Sequence, residues 1–144
     1  MLKSTLEFLK KLTNHPKKVF LLDAMGALLT VSLLFSILAQ FPQYFGMPIP
    51  TLYFLSGVAF FFFVYSISCH FFISNNWSPF LILIICFNFI YSITSFTLVL
   101  YYSESLTLLG WGYFIVEIII ICMVVLLEYN SLKQYLSNST KIQS

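Results

Sequence analysis

Hydrophobic and polar positions along this chain follow one coarse pattern, four long apolar runs separated by short polar or proline-rich breaks. The runs cover residues 19–41, 52–73, 80–102 and 106–129. A helix needs about 20 apolar residues to cross the hydrocarbon core of a bilayer, and each run is long enough. The pattern predicts an all-α fold, an integral membrane four-helix transmembrane bundle. Short connections make consecutive spans antiparallel neighbours. Three regions follow: a basic arm at 1–18, the four-span bundle at 19–129 and a polar tail at 130–144. The tail is expected to extend the fourth helix for a turn or two and to fray from Ser137.

The arm has its own pattern. Leu2, Leu6, Leu9 and Thr13 form a stripe at helical spacing, with Phe8 and Leu12 beside it and Lys3, Glu7, Lys10 and Lys11 away from its centre. This predicts a short amphipathic helix lying in the membrane interface, where each lysine near anionic lipid contributes about 1 kcal/mol. Asn14-His15-Pro16 ends it, because proline disfavours the helical region for the residue before it. The break at 41–50 holds three prolines among aromatics and is expected to lie against the interface. In Asn75-Asn76-Trp77-Ser78-Pro79, Ser78 reads as an N-cap, Pro79 as first-turn proline, and Trp77 as a headgroup-level anchor.

Each span also carries a polar or small-residue stripe. Span one offers Asp23, Gly26, Ala27 and Thr30; span two offers Ser56, Ala59, Phe63, Ser66 and His70. Span three offers Asn88, Tyr91, Ser92, Ser95 and Tyr102. Span four gives the most regular series, Gly110, Tyr113, Glu117, Ile121, Val124 and Glu128. The four stripes point inward and leave Phe, Leu and Ile toward lipid.

Charge fixes an orientation. All seven basic residues are lysines, five before the first span and two after the fourth, with none in the loops between spans. The positive-inside rule then predicts both termini in the cytoplasm and the protein in the cell (inner) membrane. The arm is too polar for a signal peptide, so the first span is expected to serve as both signal and anchor. The 60% hydrophobic, 8% charged composition lies outside the range of soluble domains. Topology accounts for the lysines, so nucleic acid is not an expected partner.

Depth sorts the polar residues into two expected layers. Asp23, His70 and Glu128, with Ser66 on the same side of span two, form a cytoplasmic-side layer. There Asp23 is expected to pair with Lys17 or Lys18, and Glu128 to be interfacial and solvated. Glu117, Asn88 and Tyr91, with Ser92 and Tyr113 nearby, form a central layer and are the ligand- or ion-binding candidates. A carboxylate at mid-membrane costs about 2.5–3.5 kcal/mol on insertion scales, and no lysine or arginine lies at that depth to offset it. The positive partner of Glu117 would be a substrate, an ion, a proton or another subunit.

Cys69, Cys86 and Cys122 form no CxxC pair and read as packing residues. No zinc spacing is present, so no metal site is expected and no cofactor is implied. The stretches VFLLDAMGALL at 19–29, Phe45-Gly46-Met47-Pro48, Tyr65-Ser66-Ile67-Ser68-Cys69 and LGWGYFIVE at 109–117 resemble small four-helix bacterial membrane proteins, over most of 17–128. The resemblance implies the fold and no activity. Small multidrug exporters carry a membrane glutamate in their first span, whereas this chain has Asp23 there, near the cytoplasmic end.

The best functional expectation is a ligand- or ion-handling bundle, for transport or sensing, that works through Glu117. Its partners are the lipid bilayer and a second copy or a larger membrane complex. The alternatives are an accessory subunit with a dry polar seam, and a membrane enzyme acting on lipid or quinone through an Asp23–His70 acid–base pair.

Overall fold

The computed structural model describes Glu7 and residues 15–142. The interfacial helix expected at 2–14 falls outside the described residues, Glu7 excepted. The described chain is all-α: α1 (Pro16–Leu33, continued by a π-helical turn at Leu34–Leu38), α2 (Pro42–Phe45), α3 (Ile49–Phe72), α4 (Ser78–Tyr101) and α5 (Leu108–Ile142). Four of these are long and apolar enough to cross a membrane, over Pro16–Leu38, Ile49–Phe72, Ser78–Tyr101 and Leu108–Asn138. They pack as two antiparallel hairpins, α1 with α3 and α4 with α5, with sparser contact between the hairpins.

Proline sets most of the starts. It occupies the first turn of α1, α2, α3 and α4, where its missing N–H leaves no bond unmade. His15, held extended before Pro16, marks the break expected there. The start of α4 differs from expectation. Trp77 is the N-cap and Ser78 lies inside the helix without a side-chain cap bond, because the turn is made by Asn76 at φ 54°. Trp77 is buried, its ring 5.9 Å from that of Phe20 and its face covered by Lys17 Nζ at 5.7 Å. Trp77 thus packs inward at the lysine-bearing end of the bundle.

α5 also runs on where fraying was expected, reaching Ile142. Leu132 on this extension joins Val19, Phe20, Cys69, Trp77 and Leu81 in an apolar cluster at the lysine-bearing end. Cys69 therefore packs as expected, but Cys86 and Cys122 face outward.

At the opposite end α2 is tied to the start of α5. Thr107 pins it there. Its N–H donates to the Phe45 carbonyl at 3.1 Å, its hydroxyl donates to the Tyr44 carbonyl at 2.5 Å, and the same hydroxyl accepts the Gly110 N–H at 3.2 Å as a helix N-cap. Gly46, at φ 77°, ends α2 in the left-handed region that favours glycine. Met47 is buried beside Leu38, Leu52 and Phe114 in the main core.

The bundle's outer surface is apolar, with Met25, Phe61, Phe89, Ile90 and Ile119 all exposed. A soluble monomer rarely shows so much apolar surface. Hydrocarbon is as apolar as these side chains, so helices in it are held by close packing and polar contacts and not by burial of oil from water.

Gly110 is one such close approach, since a Cβ there would overlap the Phe45 carbonyl, whereas a Cβ on Gly112 would meet nothing within 4 Å. Gly110→Ala is expected to destabilise the bundle by about 1–3 kcal/mol, and Gly112→Ala to leave it unchanged. Thermal unfolding of both variants in detergent checks the contrast.

Candidate functional site

All four spans send a polar side chain to one buried point. Asp23 lies two turns into α1, Ser66 nearly two turns before the end of α3, Asn88 in α4 and Glu128 in α5. Asn88 Nδ2 donates to Asp23 Oδ1 at 2.6 Å and, with its other hydrogen, to Glu128 Oε1 and Oε2 at 3.2 and 3.4 Å. Ser66 Oγ donates to Asp23 Oδ2 at 2.5 Å. Glu128 is 0% exposed and Asp23 4%. Two carboxyls thus share one amide, and no lysine or arginine occurs anywhere between residues 18 and 133. Buried charge without a partner is costly, so the donors supplied by Asn88 and Ser66 are essential to this arrangement.

A second polar group lies further along the same helices. Tyr91, one turn beyond Asn88 on α4, donates its hydroxyl to Glu117 Oε1 at 3.2 Å. Glu117 is 6% exposed, and its Oε2 has no hydrogen-bond partner. The hydroxyls of Tyr113 and Ser95 lie beside this carboxyl without closing a full hydrogen bond. Ser92 Oγ is likewise buried and unpartnered. Glu117 and Glu128 share the inward stripe of α5, separated by about 16 Å along the axis.

A cleft of about 390 Å³ connects the two groups. Its sides are α1 and α5, and its floor is Ala59 and Phe62 of α3 with Asn88 and Tyr91 of α4. Asp23 and Glu117 both line it, among Leu29, Leu33, Ile120 and Val124. Gly26 and Gly112 leave its sides open, since an added Cβ at either would touch nothing within 4 Å. This size lies within the range of small-molecule sites, which are mostly apolar with a few placed polar groups.

Several expected placements change. Asn88 belongs with Asp23 and Glu128, not with Glu117. Asn88 is ten residues into α4, Asp23 seven into α1 and Ser66 six from the end of α3, and side chains close an axial offset of about 4–6 Å. Glu128 is fully buried, not interfacial and solvated, because the extended α5 carries apolar and packed residues beyond it. Asp23 spends its oxygens on Ser66 and Asn88, and Lys17 turns to the Trp77 ring. His70 does not pair with Asp23. Its Nδ1 donates to the Lys17 carbonyl at 2.7 Å, closing the end of α3 onto the start of α1. On α3, Phe62 and Cys69 are buried where Phe63 and His70 were expected.

Tyr91 and Tyr113 lie beside Glu117 and line the cleft, whereas Ser92 is not among the residues lining it. The sequence reading missed the joining of Asn88 to both acids. The i, i+3 spacing of Asn88 and Tyr91, matched by Glu117 and Glu128 on one face of α5, was the available signal. Among the described residues no group of three or more His, Cys, Asp or Glu side chains gathers as a metal ion would require.

Asn88→Ala is expected to cost about 2 kcal/mol of bundle stability, since it strips donors from two buried acids. Ser66→Ala is expected to cost about 0.6 kcal/mol, a usual value for one interhelical hydrogen bond in a membrane. Adding Asp23→Asn to Asn88→Ala should recover part of the loss by removing one acid, as read by unfolding in detergent. No protein-family model matches the chain, and no curated protein or solved structure shows significant similarity to it.

Proposed function

We propose that this protein handles a small organic cation, for transport or sensing, in the cleft between its first and fourth spans, with Glu117 as the counter-charge. One observation carries the reading. Glu117 is nearly inaccessible to solvent, has an oxygen without a partner and lines a cleft that no lysine or arginine among the described residues enters. A carboxylate at such a depth is costly unless a positive group meets it. The walls favour a cation with an apolar body, and Tyr91, Tyr113 and Phe62 line the cleft with aromatic rings, groups that attract positive charge.

In this reading the protein spans the inner membrane with both termini in the cytoplasm, on the strength of its lysines. The Asp23 group then lies nearer the cytoplasm and Glu117 nearer the bilayer centre. A fluorescent reporter fused after Ser144 is expected to be active, and an alkaline phosphatase fused there inactive. The opposite pattern overturns the orientation.

Binding tests the function itself. Titration calorimetry of the purified protein in lipid nanodiscs, with hexylamine and benzyltrimethylammonium as two monocations of different shape, is expected to show binding of at least one. Glu117→Gln should weaken it at least about tenfold, the effect of losing roughly one charge-assisted contact, while leaving unfolding within about 1 kcal/mol. Binding that ignores Glu117→Gln, or no binding of either cation, contradicts the proposal.

A further inference from the structure

The cleft is elongated. Its lining runs from Gly112 to Val124 on α5 and from Asp23 to Leu33 on α1, a length of about 15–18 Å at the helical rise. An extended aliphatic chain matches that length. Carboxyl groups stand at two depths in it, Glu117 at one and Asp23 at the other, with apolar side chains between.

At the Asp23 depth Asp23 and Glu128 also lie within hydrogen-bonding reach of each other. Asn88 and Ser66 give hydrogens to Asp23 and Glu128 but no positive charge. The groups facing this point are Asp23 from α1, Ser66 from α3, Asn88 from α4 and Glu128 from α5, and none is basic. At the other depth Glu117 meets only Tyr91, Tyr113 and Ser95, all neutral donors. Among the described residues the cleft therefore holds acid at two positions and a basic side chain at none.

We infer that the ligand is a linear aliphatic diamine, lying along the cleft with one ammonium at Glu117 and the other at Asp23. This rests on the reading of Glu117 as a cation's counter-charge. The alkyl segment packs against Ile120, Ile121 and Leu29, and the spacing of the two acids selects length. Their helix positions stand about 16 Å apart along the axis, and the inward reach of both side chains shortens that span. The best fit is a chain of about eight to ten carbons.

Titration of the nanodisc-embedded protein with α,ω-diamines of roughly four to fourteen carbons, against n-alkyl monoamines of equal length, tests this. The diamine series is expected to pass through an affinity maximum near the matching length, where the diamine binds at least about tenfold more tightly than its monoamine. Glu117→Gln and Asp23→Asn should each erase that preference. The length profile of the unaltered protein needs no variant, so a variant that fails to fold leaves the test intact. Affinity that rises steadily with length in both series, as partition into lipid would give, overturns the inference. So does a diamine that binds no more tightly than its monoamine. If a monocation still binds in a Glu117-dependent way, the cation reading stands and only the diamine falls; if none does, both fall.

Discussion

Asn88 has two amide hydrogens, and both go to carboxyl oxygens carried by other helices. Through this one side chain α4 is tied to α1 and to α5, and Ser66 brings α3 to the same point through Asp23. Contact between the two hairpins is otherwise sparse. Helices in hydrocarbon gain nothing from burying oil against oil, so a polar junction of this kind does much to fix how two hairpins sit. The cleft exists because the junction holds the hairpins at one depth while leaving α1 and α5 apart above it.

The same junction creates the electrostatic problem from which the functional reading starts. Hydrogen-bond donors lower the cost of burying a carboxylate but do not cancel its charge. Asp23, Glu117 and Glu128 are three buried acids in a chain whose lysines all lie at or beyond the ends of the spans. A purely structural polar seam could be built from serine, asparagine and tyrosine, as much of this one is. Acids lining an open cleft go beyond what packing requires, and the shape of the cleft narrows what could meet them.

Much of the fold was legible in the hydrophobic text, because span length is set by bilayer thickness and the four runs are long and nearly uninterrupted. The inward stripe of α5 was legible for the same reason: Gly110, Glu117 and Glu128 repeat at helical spacing and all are buried. Depth was harder. Residue counts place Cα atoms, and Asn88 reaches a layer its own position did not suggest, because an amide is drawn toward acids about a turn away. Charge reasoning failed for Glu128 and Asp23 in the same way. Proximity to lysines in sequence suggested solvation or ion pairs, but the extended α5 and the Trp77 cluster enclose that end, and Lys17 covers the indole. The π-helical turn at Leu34–Leu38, which sets Leu34 and Leu38 into the core, left no mark in composition.

The central claim is that the buried acids lack a counter-charge that a bound cation supplies. Infrared difference spectroscopy of the protein in lipid, recorded on adding a ten-carbon diamine, reads the carboxyl groups directly. The account predicts a change in the carboxyl and carboxylate stretching bands, with the Glu117 component absent in Glu117→Gln. Carboxyl bands that do not respond to the diamine, or an identical response in Glu117→Gln, would contradict it.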